Sequence, residues 1–259
     1  MSDNDLYNKV CYKNNFLKQV IFRIDFNNTI SEIDKTGLLN EDLSNLINQH
    51  FPLVERIEGF EGGLKIDITK FTPEFQNTQK VYRFQFYDSQ RENSIIIDSK
   101  SITLVNVKYN SYEEYKQILL NIKDKFFEVY KDISIKRVGL RYINEIELLE
   151  TSFFNWSKYL DKNIIGFINV APNKSDIIRA INRIEIKKEN HNLSFQYGLA
   201  NPDYPAKIKR KNFVIDLDAY SGTIAISDID IYIDIFHDSI QDVFEKSITD
   251  KLREVLNAE

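Results

Sequence analysis

A unit recurs along the chain, and this recurrence restricts the fold more than any other feature. Lys18-Gln19-Val20-Ile21-Phe22-Arg23 aligns with Lys136-Arg137-Val138-Gly139-Leu140-Arg141 at an offset of 118 (141 − 23). Ile96-Ile97-Asp98 aligns with Val214-Ile215-Asp216 at the same offset (216 − 98 = 118), and Ser111 to Glu114 falls near Ser227 to Asp230 at 116 (227 − 111). The alignment keeps face as well as order. Val20, Phe22 and Ile24 fall on Val138, Leu140 and Tyr142, while Arg23 falls on Arg141 and Asp98 on Asp216 on the opposite side. Side chains alternate along a strand, so a slip of one residue would invert every one of these assignments.

Local patterns give the elements. Residues 1–13 read as a loose lead-in. Phe16 to Phe26 alternates apolar and polar, the mark of a half-buried strand. Glu41 to Gln49 carries Leu43, Leu46 and Ile47 on one helical face, with Pro52 helping to end it. Gly63 to Thr69, Val81 to Tyr87 and Ser94 to Asp98, the last continuing through Ile102 to Val107, read as strands; Gly59 to Gly63 reads as a turn. Ser111 followed by Glu114 is a capping box. The apolar stripe Tyr115, Ile118, Leu119, Ile122, Phe126, Val129 and Tyr130 then marks a helix. The second half repeats the order. Ser134 to Leu148 is a strand, Phe153 to Leu160 a short helix, and Ile177 to Lys187, Leu193 to Leu199 and Asn212 to Tyr220 are strands. A single final helix runs to about Leu256. Asp228 to Ile235 alternates like a strand, but by analogy with Ser111 the cap at Ser227 favours a helix.

The expected architecture is therefore α+β, with two related β-α-β-β-β-α halves at 1–132 and 133–259 forming one integrated unit. Runs of consecutive strands imply antiparallel pairing, with helices on one face. The chain can fill such a core: of 259 residues 42% are hydrophobic, including 18 Phe and 14 Tyr. Eight glycines leave little material for glycine-rich phosphate loops. A net charge of −5 weighs against non-specific DNA binding, which depends on many Lys and Arg contacts to phosphate. One cysteine, Cys11, allows no internal disulfide and fits a reducing compartment. The acidic, polar start Met1 to Asp5 is unlike a signal peptide, and the apolar runs fall short of the roughly 20 residues a membrane helix needs. A cytoplasmic protein is expected.

The polar face of the second half concentrates chemistry. One strand offers Arg137, Gly139 and Arg141, the next Arg179, Arg183, Glu185 and Lys187, and the last Asp216 and Asp218. Arginine suits bidentate recognition of carboxylate or phosphate. Gly139 between two arginines leaves a place for close approach. Three readings compete. The face is a salt-bridged sheet surface or an interface between the halves; or it is an anion-binding groove lined by Arg137, Arg141, Arg179 and Arg183; or Glu185, Asp216 and Asp218 hold a divalent metal.

Other signals are weaker. His237, beside Asp238, could act as acid or base, though a lone helical histidine more often serves a cap or core edge. His50 and His191 have no companions at ligand spacing, and Cys11 has no base nearby in sequence. Neither phosphate-loop, dinucleotide, zinc-protease nor dithiol motifs occur. The run Lys207 to Lys211, with Tyr204 and Phe213 nearby, could touch nucleic acid but reads first as a solvated loop or hairpin connection. Asp228, Asp230 and Asp234 read as a solvated face.

The strand Arg137-Val138-Gly139-Leu140-Arg141-Tyr142-Ile143-Asn144 and the tail Phe236-His237-Asp238, Phe244 and Ile248-Thr249-Asp250 resemble a sporadically distributed bacterial family of about this length. Its members share an R-x-G-x-R-Y-x-N strand and a C-terminal helix with His, Phe and Ile-Thr landmarks. The resemblance spans the chain in layout, with specificity in those two motifs. The family carries no established activity, so no catalytic role transfers; the resemblance singles out Arg141, Tyr142, Asn144, His237, Phe244 and Thr249. Patchy distribution of this kind accompanies mobile or defence-associated genes. The expected function is a binding or interaction protein without cofactor or resident metal, using the Arg-containing face for a protein partner or small anionic ligand. The alternative is a metal-dependent enzyme acting on a phosphorylated substrate or nucleotide in a tunnel-like sheet, similar in layout to triphosphate-tunnel enzymes but without their alternating glutamates.

Overall fold

Among the described residues nine strands form one antiparallel sheet. The computed structural model describes residues 11–67, 72–148, 155–210 and 212–257. The strands are β1 (Leu17–Phe26), β2 (Leu53–Asp67), β3 (Thr72–Tyr87), β4 (Asn93–Asp98), β5 (Ser101–Asn106), β6 (Ile135–Glu147), β7 (Ala180–Lys187), β8 (Asn192–Leu199) and β9 (Asn212–Ser221). Their order across the sheet is β2-β3-β4-β5-β1-β6-β9-β8-β7. The helices are α1 (Ser31–Thr36), α2 (Glu41–Asn48), α3 (Tyr112–Val129), α4 (Lys162–Ile165), α5 (Ile229–Ser247) and α6 (Asp250–Asn257). Among the described residues no helix is long and apolar enough to cross a membrane.

The seam of the sheet is the β1–β6 pair, in which Phe22 lies opposite Leu140. Alternation puts Val20, Phe22 and Ile24 of β1, Val138 and Leu140 of β6, and Ile215, Leu217 and Ala219 of β9 on one face, all buried. α3 covers the first half of that face: Leu119, Ile122 and Phe126 meet Phe22, Ile24, Ile95, Ile102 and Leu104. α5 packs against β6 and β9. Its start at Ile229 bears out the helical reading of Asp228 to Ile235. Ser111 caps α3 as read, its hydroxyl accepting the Glu114 amide at 3.2 Å and satisfying a donor that a helix start leaves free, while the Glu114 carboxylate accepts from the Asn110 side chain instead of closing the box.

The structure corrects several expectations. β2 begins at Leu53, so Gly59 lies within a strand, not a turn. The pattern hid it because β2 is an edge strand with both faces open; Val54 and Ile57, of opposite facing, are 51% and 44% exposed. β4 and β5 are a hairpin, not one strand: the Asp98 carboxylate accepts the Lys100 amide at 2.8 Å and the Ser101 hydroxyl at 3.1 Å, closing the turn. No helix covers Asn155 to Leu160; Phe153 and Phe154 lie outside the described residues. The final helix is two, α5 and α6. Asp161 donates its amide to the Ser247 carbonyl and Thr249 donates to the Tyr159 carbonyl, both near 3 Å, drawing Ile248 into a bridge with Leu160 and out of the helix. The first half thus carries an extra strand and an extra short helix relative to β-α-β-β-β-α. Asp98 and Asp216 do not hold equivalent places: β4 does not touch β1, whereas β9 lies beside β6.

Asp230 and Asp234 are not a free solvated face. Lys123 of α3, only 8% exposed in its side chain, reaches Asp230 at 2.5 Å, and Lys116 reaches Asp234 at 2.6 Å. These pairs pin α3 to α5.

At the other end of the sheet, Gly198 has φ of +146°, and a Cβ there would sit 2.1 Å from the Ala180 carbonyl oxygen of β7. Gly198→Ala is expected to lift β7 from β8, since an edge strand yields more easily than the core. Amides of β7 should then exchange roughly tenfold faster, with those of β1 and β6 unchanged. Equal protection in both proteins would refute this.

Candidate functional site

β6 feeds two different sites because consecutive side chains point to opposite faces. Arg137, Gly139 and Arg141 lie on the face the helices leave uncovered; Tyr142 and Asn144 both point the other way, under the helices.

On the uncovered face the expected meeting of guanidinium and carboxylate occurs. Asp216 lies opposite Ile143, one step diagonal to Arg141. Arg141 reaches it with two parallel bonds, Nε to Oδ1 at 2.7 Å and Nη2 to Oδ2 at 2.6 Å. Such a fork is the strong form of an ion pair. Arg137 donates to both Asp218 oxygens at 3.0 and 3.2 Å and lies 4.7 Å over the Tyr220 ring. Burial holds the Asp218 carboxyl above its ordinary range, against the pull of Arg137 and Arg141. Gly139 is not an open place for a ligand. A Cβ there would sit 2.7 Å from Arg137 Nη1, so the glycine makes room for Arg137 itself.

The remaining polar candidates do not converge on this pair. Arg183 bonds Glu185 at 2.6 Å on the exposed edge strand β7. Arg179 precedes β7 and stacks 4.1 Å over Tyr204. The Lys207 to Arg210 segment belongs to the β8–β9 hairpin connection, as one of the expected readings had it; Lys211 lies outside the described residues. The groove of four arginines is therefore two satisfied ion pairs, a third pair at the edge and a cation–π contact. Among the described residues no three His, Cys, Asp or Glu side chains group so as to hold a metal ion. Asp216 and Asp218 are occupied by arginines, and β2 and β7 remain the two edges of an open sheet, so no tunnel closes.

Under the helices lies a cleft of about 360 Å³, within the range of small-molecule sites. Its floor is β6, where Tyr142 and Asn144 are each 5% exposed. α5 supplies His237, Ile240 and Phe244, the start of α3 supplies Tyr112 and Glu113, and the turn before it supplies Tyr109. Tyr12, Phe16 and Cys11 close the N-terminal side. The polar centre is a chain: Tyr109 Oη lies 3.0 Å from Tyr142 Oη, and Tyr142 Oη lies 3.0 Å from His237 Nδ1. The Tyr112 ring stacks on the His237 imidazole, centroids 3.8 Å apart and nearly parallel at 5°. Tyr112 in turn donates its hydroxyl to Asp234 at 2.5 Å.

Burial pulls the His237 imidazole down to about 4, against Glu113 and Asp234, which favour its charged form. It is neutral at pH 7. Burial likewise pushes the Tyr142, Tyr109 and Tyr112 phenols up, so all stay protonated. Nδ1 is engaged by Tyr142, and whether it donates or accepts there depends on the tautomer. Among the described residues no lysine or arginine lines the cleft.

Four residues of the two resembling motifs, Tyr142, Asn144, His237 and Phe244, line this one cleft. Arg141 lies on the other side of the sheet, and Thr249 caps a loop, its hydroxyl bonding the Lys158 carbonyl at 2.5 Å. Sequence reasoning missed Tyr12, Tyr109 and Tyr112. The available signal was two tyrosines flanking the Ser111 cap, at the end of the helix that packs beside α5. Compared with protein-family models and with curated proteins, the chain matches none of either.

Proposed function

We propose that the protein is a cytoplasmic binding protein whose ligand, an organic molecule without negative charge, seats in the cleft between β6, α5 and the start of α3. The observation that carries this is the composition of the lining: aromatic and apolar walls, one polar chain from Tyr109 through Tyr142 to His237, and no cationic side chain among the described residues. A few placed polar groups in an apolar cleft fix a ligand's orientation, while the walls supply the driving force. The resemblance supports the same place, since its motifs supply Tyr142, Asn144, His237 and Phe244. The uncovered sheet face serves this reading as scaffold. Its arginines are already paired, which weighs against capture of a free anion there, and its aspartates are occupied, which weighs against the metal-dependent alternative.

Duplication belongs to the same proposal. Outward from the β1–β6 seam the strands run β5-β4-β3 on one side and β9-β8-β7 on the other. A two-fold axis through the Phe22–Leu140 pair, the pair related by the 118 offset (140 − 22), would exchange these sets. α3 and α5 then correspond, and the cleft lies where these two helices meet over the seam.

The test is thermal shift with 2-naphthol, an uncharged aromatic probe. It should raise the melting temperature of the wild type, as any ligand specific to the native state does. Cys11→Trp, at the exposed rim, should block the cleft and abolish the shift without touching the core. Absence of a shift in the wild type, or an equal shift in Cys11→Trp, would remove the proposal.

A further inference from the structure

We propose that the natural occupant of the cleft is a cation, a primary or quaternary ammonium group carried on an apolar body, and that Glu113 at the rim is its counter-ion. This rests on the cleft being a ligand site and narrows the class of ligand.

Three observations lead there. The first is the charge of the lining. Among the described residues its side chains include one carboxylate, Glu113, and neither lysine nor arginine. Among the described residues Glu113 makes no ion pair or side-chain hydrogen bond, although most acidic groups nearby are committed. Asp234 is held by Lys116 and Tyr112, Asp230 by Lys123, and the buried Glu245 by Arg253. The second is what the neighbouring glutamate does. Glu113 and Glu114 both sit in the first turn of α3, where a carboxylate favours the helix dipole. Glu114 turns away, accepts from the Asn110 amide at 3.2 Å and lines a different hollow. A structural role at the helix start is thus met by Glu114, and Glu113 is the one aimed at the cleft.

The third is the geometry of the rings. Tyr109 stands edge-on to Tyr142, centroids 5.7 Å apart at 64°, and tilts at 58° against Tyr115. Tyr12 stands edge-on to Phe244 at 61°. Walls set steeply to one another present several ring faces to one volume, and the face of an aromatic ring attracts a cation. The phenols take part as neutral rings, with their hydroxyls engaged in the Tyr109–Tyr142–His237 chain. An anion would meet no cationic side chain here among the described residues and would face Glu113, and a neutral molecule would leave Glu113 unused.

The experiment is calorimetric titration of the full chain with benzyltrimethylammonium, benzyl alcohol and benzoate. Benzyltrimethylammonium should bind about tenfold tighter than benzyl alcohol, and benzoate should bind least, because aromatic faces attract a cation. Glu113→Gln should weaken the cation about fivefold and leave benzyl alcohol unchanged, the size expected of one exposed charge pair. Glu114→Gln, which changes net charge equally but faces away, should change neither. Equal affinity for cation and alcohol, or no effect of Glu113→Gln, overturns the cationic assignment and leaves the cleft as a neutral-ligand site. Failure of all three probes together with 2-naphthol overturns the cleft itself.

Discussion

Glu245→Ala is expected to destabilise the protein by about 3 kcal/mol, the cost of removing one partner from a buried ion pair and leaving the other. The Glu245 side chain is fully enclosed, at 0% exposure, while Arg253 is 24% exposed. Its carboxylate accepts Arg253 Nε at 2.9 Å, Gln241 Nε2 at 2.9 Å and the Tyr12 hydroxyl at 2.8 Å. Arg253 Nη2 also donates to the Glu245 carbonyl at 2.6 Å, satisfying an acceptor freed where α5 ends. One side chain thus ties three segments together: the residues ahead of β1, α5 and α6. Alanine would take the carboxylate from a guanidinium, an amide and a phenol at once, while Arg253 keeps Asp250 through Nη1 at 2.8 Å. At roughly 2–4 °C per kcal/mol for a chain of this size, the melting temperature should fall by about 6–12 °C. Glu245→Gln, which keeps an acceptor but loses the charge, should fall by less than half as much. A loss under about 1 kcal/mol for the alanine variant in urea unfolding would show that the network relaxes without cost. Tyr12 and Gln241 line the cleft, so the alanine variant should also weaken binding of 2-naphthol.

That network shows where sequence reading stops. Tyr12 lies in what reads as a loose lead-in, and Glu245 sits in a helix as any acidic residue would. They meet across 233 positions of chain, and no local pattern encodes that contact. What local pattern does encode is face. Alternation along β6 correctly set Arg141 with Asp216 on the uncovered side, because strand period fixes facing wherever one face is buried. The same alternation puts Tyr142 on the side of Leu140, beneath the helices. Pooling Tyr142, Asn144 and His237 with the arginines therefore joined residues that the strand period itself separates. β2 fails for the opposite reason: with both faces open, selection for alternation is absent and Glu55, Arg56, Ile57 and Glu58 carry no period. The 118 offset behaves likewise. Phe22 and Leu140, which it aligns, face each other across the buried seam, whereas Asp98 and Asp216 do not hold equivalent places, since a hairpin turn follows Asp98 and β5 lies between β4 and β1.

Stability should rise between pH 4 and pH 6.5, and His237 should account for about 2 kcal/mol of the difference between pH 5 and pH 7. Burial lowers the folded imidazole from 6.5 to about 4. Between those values the unfolded chain binds a proton that the folded chain refuses, so the unfolded state gains as pH falls. The contribution is complete above about 6.5, shrinks through the window and is gone near 4, where the folded protein takes the proton as well. The groups that face the ring set the balance. Tyr142 from β6 holds Nδ1, Tyr112 from α3 covers one ring face, Glu113 and Asp234 favour the charged form, and Lys116 opposes it. The Tyr142 bond does not resist protonation, since an imidazolium can donate where the neutral ring accepted and Tyr142 can turn its own proton to Tyr109. The resistance is loss of water around the charge, which no neighbour within the cleft replaces in full. His237→Asn removes the titration while keeping a small polar group toward Tyr142. In urea unfolding the wild type should lose about 2 kcal/mol more than His237→Asn between pH 7 and pH 5; parallel losses would show that His237 is solvated and titrates normally. The same proton bears on binding. An imidazolium in the cleft would repel an ammonium ligand, so benzyltrimethylammonium affinity should fall more steeply below pH 5 in the wild type than in His237→Asn.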